Sequence, residues 1–491
     1  MELYSLLNDV DCEVVGSAKI EIENLSMNSK KVVKNTLFFC ISGTKTNGKI
    51  YLKEAIKNGA VAVVCDKCIH TELNITQIIV KNVRIAMAQI CANFYNNPQK
   101  KLKIVGITGT NGKSSTAYFT YQILKNMNKK VGLIGTSGVY FDDEFLNLNM
   151  TTPESIDLFK IFAKMVDKKI EYCIMEVSAH AIYFDKIYGV DFSVKALTNI
   201  QVDHLDFFKT KQNYVETKLK FFKPSDKIVC IADDIFSKRI NKINKKVLFF
   251  GKKSRDFLIK NINCTLSSTY FELDFLGVTH KIKSKVIGGF NVENLACAIG
   301  ILYELGFEIE NIENNLTEIK NFAGRLDVVY NAEFNVIVDY AHTLDSLENL
   351  FKGVKEISGN KNIVVFGAPG ERDTTKRFLM GKLASQYAEI IILTTDNPAS
   401  ENPLRIIFEI EQGVISANRK SQYYIVEDRE KAIKKALQLA KKKKNTNVLV
   451  VGKGVETYQI VGYKHLPYSD YDVINRTLKI IYKKCDLIKK I

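Results

Sequence analysis

The sequence predicts an α/β fold of three domains in which helices cover largely parallel sheets. Short apolar, β-branched runs alternate with helical stretches along the whole chain, a pattern typical of parallel sheets that are covered on both faces. A glycine-rich segment at residues 109–115 stands where one of these runs passes into a helix. With 491 residues, of which 46% are hydrophobic, the chain is long enough for about three domains with separate cores.

The first predicted domain is a small α/β unit that covers residues 1–98. Residues 36–41 and 61–65 are apolar and β-branched, as strands are, whereas residues 83–95 have a helical pattern. Asn96-Asn97-Pro98 then interrupts the pattern and predicts the first boundary.

The second and third predicted domains, residues 99–328 and 329–491, repeat the alternation of strand and helix. The central domain is predicted to have strands at 103–108, 131–135, 172–177, 194–199 and 227–232. The last domain is predicted to have them at 336–340, 362–367, 390–395, 423–426 and 447–452. In sheets of this class, ligands bind at the carboxyl ends of the strands.

Composition restricts the class of protein. The net charge of +16 favours anionic partners, but no arginine-rich arm or basic-aromatic alternation indicates nucleic acid. Ten cysteines without a disulfide framework are typical of reduced thiols in the cytoplasm. We find no export signal and no apolar run long enough to span a membrane, so a cytoplasmic protein is expected.

The segment Gly-Thr-Asn-Gly-Lys-Ser-Ser predicts a site for nucleotide phosphates. Glycines let the backbone N–H groups surround phosphate at a helix N-terminus, while Lys113 supplies a positive charge and Ser114 a hydroxyl for Mg²⁺. The spacing departs from the common phosphate-loop pattern, but ATP or GTP chemistry is the natural expectation. The candidate residues are Gly109, Thr110, Asn111, Gly112, Lys113, Ser114 and Ser115.

Further polar clusters follow other predicted strands. Glu176 ends a strand of the same sheet, where a carboxylate can hold Mg²⁺, and Asp203-His204-Leu205-Asp206 follows the next one. In the third domain, four polar segments follow predicted strands at one edge of the sheet. Together they predict a second binding surface, for an amine or amino acid. They begin at Asp339, Gly370, Asp396 and Gly452.

Together these motifs resemble those of the Mur ligases, the ATP-dependent amide ligases of peptidoglycan precursor synthesis. The resemblance covers essentially the whole chain. It rests on the phosphate loop, Thr-Thr-Pro at 151–153, Glu-Val-Ser-Ala-His at 176–180, Asp-His-Leu-Asp at 203–206 and Asp-Tyr-Ala-His-Thr at 339–343. Gly-Phe-Asn at 289–291, Gly-Arg at 324–325, Arg-Asp at 372–373 and Gly-Lys-Gly at 452–454 also fit.

The resemblance implies the cofactors of the reaction. ATP would phosphorylate a substrate carboxylate, giving an acyl phosphate that the incoming amine attacks, with two Mg²⁺ ions assisting. Lys218 matches a lysine that becomes carbamylated with CO₂ and then binds metal. Ser114 and Glu176 would hold one ion, and His204 with carbamylated Lys218 the other. The residues expected to serve the chemical step are Lys113, Glu176, His204, Lys218 and His342.

The resemblance also assigns binding residues. Nucleotide contacts are expected from Asn291, Arg325, His342 and Asp345. The UDP-linked substrate is expected to meet Ser29, a loop at residues 44–48, Thr151, Thr152, Ser178 and Lys186. Phe184 and Lys186 depart from a family Gln-x-Arg, so Lys186 would meet an anion as a point charge without bidentate geometry.

The incoming amino acid is expected to meet the third domain, at Arg372, Asp396, Asn397, Pro398, Ala399, Gly452 and Glu456. Members that add meso-diaminopimelate usually carry an arginine at the position of Ala399, where it pairs with the distal carboxylate. Ala399 removes that partner, so L-lysine is the expected substrate and meso-diaminopimelate the alternative. The acceptor would be UDP-N-acetylmuramoyl-L-alanyl-D-glutamate, and the enzyme a monomer.

Three other interpretations stay open at this point. One is a basic ATPase that acts on nucleic acid, for which phosphate release should be stimulated by DNA or RNA and depend steeply on salt. The chain could be another amide ligase of the same class, such as the D-glutamate-adding enzyme or a folylpolyglutamate synthetase. It could also be a non-catalytic scaffold that binds nucleotide, although the presence of Lys113, Glu176, His204 and Lys218 argues against that.

Overall fold

The computed structural model describes residues 1–43, 48–69, 75–148, 150–201, 205–418 and 421–482, apart from the side chain of residue 206. Its contacts define two compact units. Unit 1 comprises Met1–Leu258 and Ala296–Asn315, and unit 2 comprises Ile259–Leu295 and Leu316–Ile491. The predicted domain boundaries after residues 98 and 328 stay predictions.

Unit 1 contains the strands of two sheets and the helices that cover them. Its strands are β1 (Cys12–Val15), β2 (Asn24–Ser26), β3 (Thr36–Phe39), β4 (Ala60–Cys65), β5 (Thr76–Val80), β6 (Lys103–Thr108), β7 (Val131–Gly135), β8 (Gly138–Phe141), β9 (Glu144–Leu146), β10 (Tyr172–Glu176), β11 (Phe192–Leu197), β12 (Ile228–Ile231), β13 (Val247–Gly251) and the start of β14 (Phe257–Cys264). Its helices are α1 (Leu3–Leu6), α2 (Leu52–Lys57), α3 (Val83–Phe94), α4 (Lys113–Asn126), α5 (Ser155–Asp167), α6 (Ala179–Tyr183), α7 (Leu205–Phe208), α8 (Lys211–Leu219), α9 (Ser237–Ile243), the end of α10 (Gly289–Glu304) and α11 (Ile309–Glu313). Short 3₁₀ turns cover Ser29–Lys31, Gly48–Tyr51 and Pro98–Lys101.

Unit 2 contains a third large sheet and two hairpins. Its strands are β15 (Thr269–Phe275), β16 (Val278–Ser284), β17 (Asp327–Asn331), β18 (Asn335–Asp339), β19 (Lys361–Phe366), β20 (Ile390–Leu393), β21 (Gln422–Ile425), β22 (Thr446–Val451), β23 (Tyr458–Val461) and β24 (Lys464–Pro467). Its helices, besides the start of α10, are α12 (Leu344–Ile357), α13 (Thr375–Tyr387), α14 (Pro403–Ser416), α15 (Arg429–Lys443) and α16 (Asp470–Tyr482).

The predicted parallel sheets are present, but each has antiparallel additions. In unit 1 the order β14-β13-β12-β11-β6-β10-β7 is parallel, and β8 and β9 then extend it antiparallel to β7. The N-terminal sheet has the order β1-β5-β4-β3-β2, with β1 antiparallel to β5. Hairpin strands such as β8 and β9 escaped prediction because they are short and partly polar, which leaves little apolar periodicity to detect.

The order of the strands places the predicted clusters at shared edges. In unit 1, β11, β6, β10 and β7 are neighbours, so the segments after them lie side by side. In unit 2 the order β17-β18-β22-β19-β20-β21 brings together the four predicted polar segments, which follow β18, β22, β19 and β20. Buried strand residues such as Ile104, Ile174 and Val450 fix these edges, because aliphatic side chains on both faces of a parallel sheet are removed from water.

One predicted helix begins earlier than its apolar pattern. Helix α4 starts at Lys113, directly after Gly112, whose φ of 82° is left-handed. The first turn is polar, and therefore carries no apolar signal. As a result, Lys113 and Ser114 are in the first turn of a helix, whose N–H groups have no partner within the helix itself. Among the described residues, no helix is both long enough and apolar enough to cross a membrane.

Candidate functional site

The phosphate loop is held by the end of β11. The backbone N–H groups of Thr110 and Asn111 donate to the carbonyl and side-chain oxygens of Asn199, each at 2.9 Å. The hydroxyl of Thr198 donates to the carbonyl of Asn111 at 2.5 Å. Gly109 is required here, because a Cβ at that position would overlap the Thr198 hydroxyl. These contacts fix the shape of the loop that leads to the N-terminus of α4, where a helix can bind phosphate.

Lys113 lies over the same loop. Its Nζ donates to the carbonyls of Gly109 and Thr110, at 2.9 and 2.8 Å. These bonds hold the ammonium group at the mouth of the loop, with the partly buried Ser114 beside it and buried Ser115 behind. The predicted phosphate-binding residues are therefore brought together.

Ser114 and Glu176 meet directly. The serine hydroxyl donates to Oε2 of Glu176 at 2.9 Å, although the two residues are 62 positions apart in the chain. Thr136, after β7, completes the group through its N–H to Oε1 at 2.9 Å and its hydroxyl to Oε2 at 3.3 Å. Glu176 is only 2% exposed, so these donors stabilise its buried carboxylate.

Lys218 lies on the other side of the phosphate loop. It is 1% exposed, and its Nζ donates to the carbonyl of Gly109 at 2.8 Å and approaches the Thr108 hydroxyl at 3.4 Å. The ammonium also faces the ring of Tyr214, 4.9 Å from its centroid. The lysine that the resemblance singles out is therefore buried against the phosphate loop.

The residues present fit a Mg²⁺ ion at the first position. Ser114 and Glu176 offer a hydroxyl and a carboxylate, the oxygen donors that this hard cation takes. His204, predicted for the second ion, lies outside the described residues together with Asp203. Within the described part of the chain, no three His, Cys, Asp or Glu side chains form a metal-ligand group.

The Thr-Thr-Pro segment contacts the end of β10. The hydroxyl of buried Thr152 donates to the carbonyl of Glu176 at 2.9 Å and accepts the N–H of Ser178 at 3.1 Å. Ser178 itself caps α6 by accepting the N–H of Ala181. Thr151 pairs with the hydroxyl of Thr136 at 3.1 Å. Three predicted substrate residues therefore lie next to Glu176.

The other predicted substrate residues of unit 1 have protein partners. Ser29 is buried, and its hydroxyl donates to Oε2 of Glu54 at 2.6 Å. Lys186 is also buried and pairs with Glu154 at 2.8 Å. Residues 44–47 of the predicted loop lie outside the described residues.

In unit 2, Asp339 organises the turn that follows β18. Its carboxylate accepts the N–H groups of Leu326 and Ala341, at 2.5 and 2.7 Å. Burial raises the pKa of this carboxyl group, and the nearby Arg325 opposes that shift. The guanidinium of Arg325 lies 4.9 Å from the ring centroid of Tyr340, so the turn places a cation beside an aromatic face.

His342 lies in the same turn. Its Nδ1 is 2.8 Å from the carbonyl of Tyr340, and burial lowers the pKa of its imidazole, with Arg325 and Lys376 acting in the same direction. Asp345 is exposed in the first turn of α12, which Thr343 begins with a capping box. A neutral imidazole with one nitrogen occupied can offer the other to a ligand.

Asn291 is in the first turn of α10. It is 1% exposed, its amide donates to the carbonyl of Ile287 at 2.8 Å, and its Oδ1 accepts from Asn294 at 3.0 Å. These bonds fix the side chain as an internal support of the segment that precedes α10.

The turns after β19 and β20 are bonded to each other. The N–H of Gly370 donates to the carbonyl of Asn397 at 2.9 Å, and the N–H of Glu371 donates to Glu401 at 2.5 Å. Glu401 is bound in turn by buried Arg377, at 2.9 and 3.0 Å. Arg372 extends from this joined pair of turns as an exposed cation.

Of the residues predicted to bind the incoming amino acid, some are at least partly exposed and others are buried. Buried Lys453 donates to Glu456 at 2.7 Å and to Asn397 at 2.9 Å, and Asn397 donates to the same carboxylate at 2.9 Å. Glu456, partly exposed, is therefore an oriented carboxylate. Asp396 is only 4% exposed and contacts Gly452, so its carboxylate is covered.

Pro398 and Ala399 form the bend between these sets. Pro398 is buried against Gly370, and Ala399 has a left-handed φ of 50°. Its N–H and carbonyl both bond to the β23–β24 hairpin, at Ile460 and Gly462. The hairpin therefore fixes the backbone at the position where the sequence analysis located amino-acid selectivity.

Sequence reasoning missed the residues that support this site. Thr136, Asn199 and Gln201 follow strands as isolated polar residues. Only the strand order reveals that Thr136 meets Glu176 and that the other two meet Asn111. Glu401 gave no signal either, because its ion pair with Arg377 joins a loop to helix α13 and has no fixed spacing in sequence.

Three protein families match consecutive parts of the chain. The Mur ligase family catalytic domain matches residues 21–95, the Mur ligase middle domain residues 107–302, and the Mur ligase glutamate ligase domain residues 324–454. The predicted three-domain α/β architecture is thereby confirmed.

Curated relatives match over nearly the full length. The chain is 39% identical over 488 residues to UDP-N-acetylmuramoyl-L-alanyl-D-glutamate–2,6-diaminopimelate ligase 1 of Clostridium acetobutylicum, covering 98% of this chain and 100% of that one. It is 40% identical over 482 residues to the ligase of the same name from Caldanaerobacter subterraneus, covering 97% and 99%.

Solved structures agree in fold. A UDP-N-acetylmuramoyl-L-alanyl-D-glutamate–2,6-diaminopimelate ligase superposes with a TM-score of 0.70 at 24% identity, over 98% of this chain and 99% of that one. MurF from Thermotoga maritima, in complex with ADP, superposes with a TM-score of 0.62 at 21% identity, over 94% and 97%.

Proposed function

This chain belongs to the Mur ligase family, and we propose that it joins 2,6-diaminopimelate to UDP-N-acetylmuramoyl-L-alanyl-D-glutamate with hydrolysis of ATP. The observation that carries this proposal is the near-complete coverage of curated relatives that bear this activity in their names. Cytoplasmic peptidoglycan precursor synthesis is the corresponding setting, in which the nine cysteines found free among the described residues would stay reduced.

The expected preference for L-lysine is not supported. It rested on Ala399, which offers no cation to a distal carboxylate, whereas the relatives' names favour the alternative, diaminopimelate. A single uncharged position does not decide selectivity when neighbouring loops carry charge. The turn bonded to Asn397 presents exposed Arg372, which we assign to a carboxylate of the amino acid.

In the proposed reaction, a carboxylate of the acceptor attacks the γ-phosphorus of ATP, and ADP leaves. The amine then attacks the acyl carbon, phosphate leaves, and the amine loses a proton. Lys113 and the loop N–H groups would hold the phosphates, while Glu176 and Ser114 would hold Mg²⁺. The metal would offset the repulsion between the two anionic reactants. Glu456 would face an ammonium group of the amino acid.

We also propose that Lys218 is carbamylated in the active enzyme. Its Nζ is buried beside the phosphate loop, where a carbamate would exchange a buried cation for an anionic oxygen ligand. Intact-protein and peptide mass spectrometry should find one carbamate on Lys218, and activity should fall in CO₂-depleted buffer and return with bicarbonate. An unmodified Lys218 in fully active protein would exclude this assignment.

The proposed function is tested by phosphate release with ATP, Mg²⁺ and UDP-N-acetylmuramoyl-L-alanyl-D-glutamate. Meso-diaminopimelate and L-lysine are offered in separate reactions, with Lys113→Met as a control for contaminating ATPase. We expect release with diaminopimelate and at least about tenfold less with lysine, a difference of roughly 1.4 kcal/mol in transition-state binding. Phosphate release with lysine alone would support L-lysine as the substrate, as the sequence analysis expected. No release with either amino acid would contradict the ligase proposal.

A further inference from the structure

A cluster of two cations and one carboxylate joins α3 to the segments around α5 and α6. Glu154 accepts from Arg84 through Oε2 at 3.0 Å and from Lys186 through Oε1 at 2.8 Å. Phe184 completes what we call the Glu154 cluster, because its ring lies 4.5 Å beneath the guanidinium carbon of Arg84. All four residues belong to unit 1.

Lys186 is directed inward. Its side chain is 6% exposed, and besides Glu154 its Nζ approaches the sulfur of Met150 at 3.5 Å. Its backbone carbonyl accepts the buried hydroxyl of Ser155 at 3.0 Å. The lysine predicted to meet the substrate is therefore used as an internal counter-ion.

Arg84 has the opposite character. Its side chain is 17% exposed, and ring and carboxylate fix the plane of the guanidinium from two sides. Among the described residues, its hydrogen bonds to carboxylate run through Nη1 alone, whereas a guanidinium has five N–H donors. A fixed plane with donors to spare is the geometry that binds phosphate or carboxylate in bidentate fashion.

Arg84 lies close to residues that are assigned to the sugar nucleotide. Arg84 and Lys186 share the single carboxylate of Glu154, and the neighbouring carboxylate of Asp185 accepts from the amide of Asn82 at 3.2 Å. Glu154 also directly follows Thr151-Thr152-Pro153, the segment that contacts Ser178 and Glu176. Arg84, whose remaining N–H donors have no carboxylate partner among the described residues, is therefore placed to meet the same ligand as these residues.

Resting on the proposed function, we propose that Arg84 binds an anionic group of the sugar-nucleotide substrate, with Phe184 and Glu154 holding its guanidinium in place. It would supply the planar cation that Lys186 cannot. The group is a phosphate or a carboxylate, since both present paired anionic oxygens.

The test is calorimetric binding of UDP-N-acetylmuramoyl-L-alanyl-D-glutamate to the full chain, without amino acid. Arg84→Met keeps the apolar stem, and Arg255→Met, at an 80% exposed arginine, is the matched control. Because a charged hydrogen bond is lost, the Arg84→Met variant should bind the sugar nucleotide on the order of 10- to 100-fold more weakly than the wild type. Its affinity for ATP and its kcat should be unchanged. Arg255→Met should bind as the wild type does.

A double variant separates binding from structure. Lys186→Arg added to Arg84→Met should recover part of the lost affinity, which a purely structural role for Arg84 does not predict. Unchanged affinity in Arg84→Met, or an equal loss of ATP affinity, would overturn the proposal.

Two further ligands identify the group. A loss already seen with UDP alone assigns the contact to phosphate, and a loss seen only with the complete dipeptide assigns it to carboxylate. If the wild-type protein binds the sugar nucleotide but releases no phosphate, the proposed function is contradicted. The comparison of sugar-nucleotide affinity between the wild type and Arg84→Met still tests the role of Arg84.

Discussion

At the scale of single residues, burial determines what His342 can do. Its imidazole lies among Arg325, Lys376 and the carbonyl of Tyr340, and burial is the largest cause of its lowered pKa. The side chain is therefore neutral near pH 7, available as a hydrogen-bonding group rather than as a charge.

This shift gives a pH dependence of known sign. In the unfolded chain the histidine titrates near its ordinary value of 6.5, and in the folded chain below it. Between the two values the unfolded state binds more protons, so the stability that His342 contributes is lost as pH falls through this window.

Urea unfolding of the wild type and of His342→Gln, from about pH 7.5 to about pH 5.5, measures the effect. The difference in unfolding free energy, wild type minus variant, should decrease as the pH falls. A difference independent of pH would show that the histidine titrates normally.

At the scale of elements, the packing of α13 on α14 depends on two glycines. A Cβ on Gly381 would overlap the carbonyl oxygen of Ile410, and one on Gly413 would overlap that of Phe378. The helices thus approach backbone to backbone, which places α13 and its buried Arg377 beside the Glu401 turn.

Gly381→Ala should therefore destabilise unit 2. The added methyl group forces the helices apart, at a cost of about 1–3 kcal/mol, which exceeds the gain in helix propensity. Gly359→Ala is the control, because a Cβ there meets nothing within 4 Å. Denaturant midpoints of both variants test this, and equal midpoints would contradict the proposed close approach.

At the scale of the whole molecule, ligand binding should appear as stability. A nucleotide that binds only the folded state, at about 100 times its Kd, adds about 2.7 kcal/mol to the unfolding free energy. We expect ATP with Mg²⁺ to raise the melting temperature, EDTA to remove much of the increase, and Lys113→Met to abolish it.

Lys130→Met, at an exposed lysine after α4, is the matched control and should respond as the wild type does. An equal response from Lys113→Met would place the nucleotide elsewhere than at the phosphate loop.

The sequence by itself determined the α/β class, the parallel core strands, the phosphate loop and the family. These depend on local patterns, since apolar periodicity defines strands and short motifs keep the spacing that their chemistry requires. Glu176 and Ser114 were predicted together for this reason, and their hydroxyl and carboxylate meet at 2.9 Å.

Tertiary structure alone decided which charges are free and which are compensated. The sequence offers Asp396 and Lys186 as charged residues for ligands, whereas the structure buries the carboxylate of Asp396 and pairs Lys186 with Glu154. Arg84 gave no signal until α3 was placed against Phe184. Burial and ion pairing depend on residues far apart in the chain, because the free energy of a charge is set by its surroundings in space.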